Sequence, residues 1–334
     1  PTIELTLSTV GAKEAKIEIL DDDQVIKEIS YTIDNGLDNS KSCSIIPIVL
    51  PEASLWSADK PKLYQAKVTV GNDEVIETFG IRTVELSVEE GLLINGKREI
   101  LRGACIHHDN GMLGACAFPE AEERKIRIMK DAGYNAIRSA HNPCSKALLE
   151  ACDRIGMYVL DEYLDGWYIH KTQYDYALYI EDWWQKDLDN LVSKDYNHPS
   201  VIMYSLGNEV SETAEPKGIQ LTKTMRDYLH QLDNTRPVTT GVNIFFNFLS
   251  SIGLGVYSDE KSQKEVETKV QKKKTPVGSE FYNTLAGMVG ADFMKLGATL
   301  YPCDLKTRDA FASMDVAGYN YGILRYKKDL KKYP

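Results

Sequence analysis

The buried-strand pattern at residues 201–204, Val-Ile-Met-Tyr, constrains the fold of this chain more than any other segment. Pro199 precedes the apolar run and Gly207 follows it, an arrangement typical of a strand buried on both faces of a parallel sheet. Asn208 and Glu209 come next, at the carboxyl end of the predicted strand. In a barrel of alternating strands and helices, that end displays the catalytic groups. The pattern therefore predicts an amide and a carboxylate in an active site.

An amide beside a carboxylate at such a position suits sugar chemistry. The carboxylic acid of Glu209 can protonate a leaving oxygen, and the amide of Asn208 can hold a hydroxyl next to the reacting carbon. A helix-capping Asn-Glu pair in an ordinary loop is the alternative. The letters Gly-Asn-Glu alone do not decide between the two.

The composition excludes several classes of protein. The chain has 334 residues, of which 43% are hydrophobic and 26% charged, as in ordinary globular proteins of about two domains. Its formal net charge of −10 argues against nucleic acid as the main partner. No apolar run approaches the ~20 residues that cross a bilayer, so no membrane partner is expected. Six scattered cysteines without a C-x-x-C pair predict neither a zinc site nor a disulfide framework. The compartment stays open between bacterial periplasm and cytoplasm.

Two domains are predicted from the change of pattern near residue 84. Residues 1–83 show short alternating strands separated by turns, which predicts an immunoglobulin-like β-sandwich. From residue 84 onward, strands alternate with helices, which predicts a parallel sheet and a (β/α)8 TIM barrel over 84–334. No glycine-rich loop follows the first of these strands, which disfavours a dinucleotide-binding fold. Six barrel strands are predicted, at 100–107, 135–140, 157–163, 201–206, 237–242 and 316–321.

Several motifs along the whole chain resemble those of family 2 glycoside hydrolases, the β-galactosidase and β-glucuronidase group. They include Phe-Gly-Ile-Arg at 79–82, Asn-Ala-Ile-Arg-Ser-Ala-His-Asn-Pro at 135–143, and Gly-Tyr-Asn-Tyr at 318–321. The segments 152–162 and 195–209 follow the family's pattern in the same order. Ordered matches of this number are hard to obtain by chance. The chain is most similar to a bacterial β-galactosidase.

The resemblance implies roles for residues around the predicted strand ends. Glu209 is implied as the general acid/base, and Asn208 as a hydrogen-bond partner of the sugar 2-hydroxyl. Arg138 and Tyr321 are implied to orient the nucleophilic carboxylate, although a structural salt bridge is the alternative for Arg138.

Four further residues are expected to bind the sugar: His107, His141, Glu162 and Trp167. A core position is a fair alternative for His107, and for Trp167 it is as favoured as stacking on a sugar face. Weaker candidates, which surface charge would also explain, are Asp165, Lys171 and Asp175.

The implied substrate is a small carbohydrate with a terminal β-galactosyl or related unit. Residues 105–109 and 163–167 depart from the best-known β-galactosidases, so β-glucuronides and β-mannosides stay open. No cofactor is expected, and a metal ion, as in some family members, is left as an open alternative. A homo-oligomer is an open alternative.

The second carboxylate of a retaining glycosidase is not found where the family places it, after strand seven. Only residues 322–334 follow the sixth predicted strand, so we expect a barrel truncated after strand six, a fragment with little or no turnover. Glu280 lies in a similar motif, Val-Gly-Ser-Glu, but precedes strand six and would occupy the wrong sector. We interpret it as a helix start within the long connection 253–310. A non-catalytic carbohydrate-binding or interaction module is the alternative for this chain.

Overall fold

The first layer of the fold is a β-sandwich of two antiparallel sheets. The computed structural model describes residues 1–34, 41–255, 257–259, 284, 287, 290 and 292–333. Strands β1 (Thr2–Val10) and β4 (Lys41–Val49) pair with each other. The second sheet has the order β3-β2-β5-β6, from strands β2 (Glu14–Asp21), β3 (Gln24–Thr32), β5 (Tyr64–Val70) and β6 (Asp73–Phe79).

Alternating isoleucines hold the two sheets of the sandwich together. Ile17 and Ile19 of β2 are fully buried and share one apolar cluster with Ile46 and Ile48 of β4. Residues two apart in a strand point to the same face, so each sheet offers one apolar face to the other. The predicted β-sandwich is confirmed.

A three-stranded antiparallel sheet follows, in a region where only strand–helix alternation was predicted. It contains β7 (Val84–Ser87), β8 (Gly91–Ile94) and β9 (Lys97–Arg98). Asn95 and Gly96 connect β8 to β9 with φ values of 54° and 71°. Both values are positive, as the tight two-residue turn of a hairpin requires, and Asn-Gly is the preferred pair for it. This small sheet was not foreseen from the sequence, where the first barrel strand is predicted at 100–107.

The rest of the described chain forms six parallel strands with helices between them. The sheet runs β10-β11-β12-β13-β14-β15 in chain order, which is the winding of a TIM barrel. The strands are β10 (Gly103–Ile106), β11 (Ala136–Ser139), β12 (Tyr158–Glu162), β13 (Val201–Asn208), β14 (Val238–Asn243) and β15 (Val316–Asn320). The helices are α1 (Pro119–Asp131), α2 (Lys146–Ile155), α3 (Ile180–Asp195), α4 (Pro216–Leu232), α5 (Ile244–Ser251), α6 (Asp292–Gly297), α7 (Tyr301–Phe311) and α8 (Tyr326–Lys332). The predicted TIM-barrel class is confirmed, and the six strands make an open half-barrel.

Local sequence explains where the helices begin and end. Pro119 and Pro216 occupy the first turn of α1 and α4, where proline costs no hydrogen bond. The Oγ of Ser145 accepts from the N–H of Leu148, 3.1 Å away, and so caps α2. Gly156 ends the same helix in a left-handed conformation. None of the helices in the described parts of the chain has the length and apolarity needed to cross a membrane.

The sandwich is tied to the bottom of the barrel by specific contacts. The indole N–H of Trp56 donates to the carbonyl of Asp153, 2.9 Å away, and the Trp56 ring is fully buried. The Nε of Arg82 donates to the carbonyl of Pro199 at 2.7 Å. Burial lowers the pKa of Arg82 to about 9. Side chains of the sandwich segment therefore support the turn that leads into β13.

Gly156 is expected to be intolerant of any side chain, because it sits against this junction. Its φ is +83°, and a Cβ would lie 2.1 Å from the carbonyl oxygen of Ala58. Gly133 has a similar φ of +89°, but a Cβ there would meet nothing within 4 Å. Left-handed strain costs about 1–2 kcal/mol at either position. The steric clash should raise the cost of Gly156→Ala to about 3 kcal/mol or more.

Urea unfolding of Gly156→Ala and Gly133→Ala measures the difference in the free energy of unfolding. Because the two variants share the backbone strain, Gly133→Ala is the matched control. Equal losses in the two proteins would show that the contact with Ala58 does not limit this position.

Candidate active site

The polar residues singled out from the sequence converge at one edge of the parallel sheet. Each lies at or just beyond the carboxyl end of a barrel strand, because parallel strands all end at the same edge. Strand by strand, they are His107 after β10, Arg138 and His141 at β11, Glu162 in β12, Asn208 and Glu209 at β13, and Tyr321 after β15.

Glu209 is partly buried and held by three hydrogen bonds. Its φ is 51°, a left-handed conformation that non-glycine residues adopt mainly where surrounding contacts enforce it. Its backbone N–H donates to the carbonyl of Gly241 at 2.7 Å. Its Oε1 accepts from the Nδ2 of Asn320 at 3.0 Å and of Asn243 at 3.3 Å. The carboxylate is thus fixed relative to the sheet rather than free to rotate.

Asn208, directly before Glu209, has its amide orientation set by two donors. Its Oδ1 accepts from the Nη2 of Arg138 at 3.2 Å and from the Nδ2 of Asn320 at 2.8 Å. Its backbone carbonyl accepts from the Nζ of Lys171 at 2.8 Å. Because the side-chain oxygen is held in this way, the NH2 end of the amide is the end that can donate to a ligand.

Glu162 is the centre of a buried ionic network. Its side chain has no exposed surface, and its Oε2 accepts from Arg138 and from the Oγ of Ser205, the latter at 2.6 Å. Its Oε1 lies 2.6 Å from the Nδ1 of His141. Both oxygens are therefore occupied by protein groups, as a buried carboxylate requires. Glu162 has no exposed surface to offer a sugar, so the predicted direct contact is corrected to a supporting position.

Arg138 lies between Glu162 and Asn208 and bonds both. The space for its guanidinium depends on Gly241, because a Cβ there would lie 2.7 Å from the Nη2 of Arg138. The salt bridge with Glu162 is the alternative foreseen for Arg138. The role implied for it toward a nucleophilic carboxylate stays a prediction.

The two histidines form an edge-to-face pair at the rim. The rings of His107 and His141 have centroids 5.3 Å apart and planes at 90°. His107 is exposed and His141 partly buried. Both are accessible at the carboxyl end of the sheet, and their contact with sugar hydroxyls stays a prediction.

Trp167 is part of the core and offers no platform for a sugar. Its side chain is fully buried, and its indole N–H donates to the carbonyl of Leu206 at 3.1 Å. It packs so tightly that a Cβ on Gly207 would lie 3.2 Å from its Nε1. The stacking prediction for Trp167 is therefore wrong, and the core alternative is correct.

Tyr321 lies close enough to Glu209 for the two to interact electrostatically. The negative charge of Glu209, together with partial burial, raises the pKa of Tyr321 above its ordinary value. The phenol therefore stays protonated at neutral pH and can donate a hydrogen bond. Like Glu209, Tyr321 is left-handed, with φ at 56°.

The weaker candidates organise the loop that follows β12. Asp175 accepts from the Nδ1 of His170 and the N–H of Lys171, both at 2.7 Å, and so closes a turn. Lys171 reaches from this loop to the carbonyl of Asn208, with Asp165 at 3.5 Å from its Nζ. These three residues act on the loop and on the backbone of Asn208.

Glu212 anchors the same loop from the far side of Glu209. Its Oε1 accepts from the N–H of Ile169 at 2.7 Å, and only 1% of the residue is exposed. Burial raises the pKa of Glu212 to about 7, against the opposing effect of the Ile169 N–H. Sequence reasoning did not single out this residue.

Asn243 and Asn320 are the other functional residues that the sequence analysis did not identify. Both stand at the ends of predicted strands, which was the available signal, and their amides reach Glu209. A small cleft opens beside Glu209 and is lined by Asn243, Phe246, Asn247 and Tyr257 among others.

Two sequence predictions cannot be compared with the structure. Glu280 and the lysine-rich stretch 261–274 lie outside the described residues. Within the described ranges, no group of three or more His, Cys, Asp or Glu side chains is arranged to hold a metal ion.

Two models of known protein families together match most of this chain, from residue 2 to residue 287. Residues 84–287 match the family described as "Glycosyl hydrolases family 2, TIM barrel domain". Residues 2–82 match the family described as "Glycosyl hydrolases family 2".

Individual relatives agree with this assignment. A β-galactosidase of Bacteroides ovatus, BoGH2A, is 37% identical over 232 residues, which cover 59% of this chain and 27% of that protein. A β-glucuronidase of Bacteroides fragilis is 28% identical over 244 residues, covering 70% of this chain and 34% of that protein.

The solved structures lead to the same family. The crystal structure of a glycosyl hydrolase family 2 member from Bacteroides cellulosilyticus superposes with a TM-score of 0.75 at 34% identity, over 100% of this chain and 37% of that one. The chain thus spans about a quarter to a third of the length of these curated relatives. With the TIM-barrel model of the family matching more than half of its residues, this chain belongs to glycosyl hydrolase family 2.

Proposed function

We propose that the protein carrying this chain is a retaining β-glycosidase that hydrolyses terminal β-galactosides. The observation that carries the proposal is the arrangement of Glu209 and Asn208, held side by side at the carboxyl end of β13 by the amide of Asn320. The β-galactosidase of Bacteroides ovatus, similar over 59% of the chain, supports galactose as the sugar.

Glu209 is the general acid/base of the proposed reaction. In the first step, a second carboxylate attacks the anomeric carbon while Glu209 gives its proton to the departing glycosidic oxygen. The leaving alcohol takes that proton, and a glycosyl ester forms on the enzyme. In the second step, Glu209 takes a proton from water as the water oxygen attacks the same carbon and displaces the ester. Two inversions leave the product with the starting configuration.

The nucleophilic carboxylate is assigned to none of the described residues. Glu162 is the acidic side chain nearest in the network, but both of its oxygens are hydrogen-bonded and its side chain is fully buried. Retaining enzymes place the two carboxyl groups about 5–5.5 Å apart, so the nucleophile must approach Glu209 from the open side of the half-barrel. Tyr321, on that side, would donate to it.

We assign the contacts with the sugar hydroxyls to the hydrogen-bonding side chains that are accessible at this end of the sheet. The Nδ2 of Asn208 would donate to the 2-hydroxyl, because its Oδ1 is already occupied by Arg138 and Asn320. His107 and His141, at the rim, would contact other hydroxyls. Arg138 would help to orient the nucleophile from beneath.

A β-glucuronidase is the second candidate. It is favoured by one observation, the similarity to the β-glucuronidase of Bacteroides fragilis over 70% of the chain. The two candidates share the reaction, and their sugars differ in the configuration at C4 and in the group at C6, a hydroxymethyl in galactose and a carboxylate in glucuronic acid.

Hydrolysis of p-nitrophenyl glycosides by the full-length protein tests the proposal. We expect kcat/KM for the β-galactoside to exceed that for the β-glucuronide and the β-mannoside by about tenfold or more, because each of those sugars differs from galactose at two carbons and a polar pocket rejects a mismatched group by at least this much. The α-galactoside is the control and should not react. NMR during the first minutes should show β-galactose before the α-anomer. Initial α-galactose, or no turnover of any β-glycoside by folded protein, would overturn the proposal.

A further inference from the structure

We infer that Asn320 is a positioning residue, which determines the Glu209 oxygen that carries the transferable proton and the end of the Asn208 amide that faces the sugar. The inference rests on the proposed acid/base role of Glu209. It concerns a residue with no part in that proposal beyond a hydrogen bond.

Asn320 bonds both members of the Asn208–Glu209 pair through one nitrogen. Its Nδ2 lies 2.8 Å from the Oδ1 of Asn208 and 3.0 Å from the Oε1 of Glu209. A primary amide nitrogen carries two hydrogens, so both bonds can exist together. The distance between the amide of Asn208 and the carboxylate of Glu209 is therefore set by a side chain from another strand.

The two amides that reach Glu209 come from adjacent strands. Asn243 of β14 and Asn320 of β15 are direct partners in the parallel register. The strands approach closely at this end, since a Cβ on Gly318 would lie 2.3 Å from the carbonyl oxygen of Thr240. A larger residue at Gly318 would push β15 away and carry the amide of Asn320 with it. The backbone thus holds the amide at a defined position.

Two donors on one oxygen decide where the acidic proton resides. The Oε1 of Glu209 accepts from both Asn320 and Asn243, so a proton placed on Oε1 would compete with their N–H groups. In the neutral carboxyl group the proton is therefore on Oε2. No hydrogen-bond partner of Oε2 is found among the residues that the structure describes. Within the described part of the chain, nothing therefore keeps Oε2 from facing the glycosidic oxygen.

The hydrogen bond from Asn320 also fixes the orientation of the Asn208 amide. Its Oδ1 accepts N–H groups from Asn320 and Arg138. In the flipped amide, an NH2 group would face these two donors and neither hydrogen bond could form. Loss of Asn320 would leave only the longer bond, at 3.2 Å from Arg138. Both the proton donor and the hydroxyl-binding amide would then lose part of their orientation.

The test compares two aryl β-galactosides in the full-length enzyme. Phenyl β-galactoside needs protonation of its leaving oxygen, whereas 2,4-dinitrophenyl β-galactoside leaves without it. For Asn320→Ala we expect kcat/KM to fall about 100-fold or more on the phenyl substrate, within the usual range for a lost proton transfer. On the dinitrophenyl substrate we expect a loss of about tenfold or less, because only the weakened hold of Asn208 on the 2-hydroxyl acts there. Asn320→Leu keeps a similar volume without a donor or a charge, and should behave in the same way.

Asn190→Ala is the matched control, because Asn190 lies exposed on α3. This variant should leave kcat/KM unchanged on both substrates. A merely structural role for Asn320 would lower kcat/KM equally on both substrates, in Asn320→Ala and in Asn320→Leu. Either that result or full activity in both variants would overturn the inference.

Glu209→Ala separates failure of this inference from failure of the proposed function. If Glu209→Ala shows the leaving-group dependence and the Asn320 variants do not, only the positioning role is refuted. If Glu209→Ala itself shows no such dependence, Glu209 is not the general acid, and both proposals fall.

Discussion

Replacement of Glu209 by Gln should lower kcat/KM for phenyl β-galactoside by about 10²–10⁴-fold, the usual contribution of general acid catalysis. Glutamine has nearly the same shape and keeps a carbonyl oxygen, which can still accept from Asn243 and Asn320. The proton that must reach the leaving oxygen is absent. We therefore expect the fold to survive and the chemistry to fail. Steady-state kinetics and circular dichroism of the purified full-length variant measure the two effects.

Glu181→Gln is the matched control for this variant. Glu181 makes an exposed ion pair with Lys217 at 3.1 Å, and such pairs contribute little to stability. Its activity should equal that of the unmodified enzyme.

Azide provides a second test of the same role. In Glu209→Ala the missing general base no longer activates water, but azide, being anionic, can attack the glycosyl-enzyme without a base. Azide should therefore restore turnover of 2,4-dinitrophenyl β-galactoside and yield β-galactosyl azide. Full activity in Glu209→Gln, or an α-linked azide product, would be incompatible with the proposed mechanism.

The elements of the barrel could be predicted from sequence because their signals are local. The strand from Val201 is buried along its entire length, as its apolar run predicted. Helices α1 and α2 begin where the sequence supplies a proline and a serine cap, signals that act over a single turn. The position of Asn208 and Glu209 at the strand end followed from the same local pattern.

The surroundings of the site could not be predicted in this way. Whether Trp167 meets a sugar or the core depends on how the loop after β12 folds back on β13, which no pattern near residue 167 reports. The burial of Glu162 depends on Arg138, His141 and Ser205, which come from two neighbouring strands and the turn after one of them. Such partners become visible only when the strand register is known.

The two asparagines were missed for a related reason. An asparagine after a predicted strand usually indicates a turn, so Asn243 carried no functional signal. Asn320 entered the sequence analysis only as one letter of the Gly-Tyr-Asn-Tyr motif, with no role of its own. Their function follows from the pairing of β14 with β15, which places both amides beside Glu209. The register between strands, and not the composition of either strand, creates this part of the site.

Removal of the Glu162 carboxylate should cost about 3–5 kcal/mol of unfolding free energy, the range found when one partner of a buried ion pair is deleted. In Glu162→Ala, Arg138 would keep its charge in a site where only 17% of its side chain is exposed. The hydroxyl of Ser205 and the Nδ1 of His141 would also lose their acceptor. Urea unfolding followed by fluorescence measures the loss.

The double variant Arg138→Met/Glu162→Leu distinguishes an uncompensated charge from a cavity. If the cost of Glu162→Ala comes mainly from the unpaired guanidinium, removal of both charges should recover much of the lost stability, because apolar pairs often replace buried ion pairs without penalty. A double variant as unstable as Glu162→Ala would instead assign the cost to lost packing and to Ser205 and His141. In either case the network lies directly beneath Asn208, so its loss should also reduce activity. A stable but inactive double variant would therefore show that Arg138 and Glu162 are kept for the geometry of the site rather than for folding.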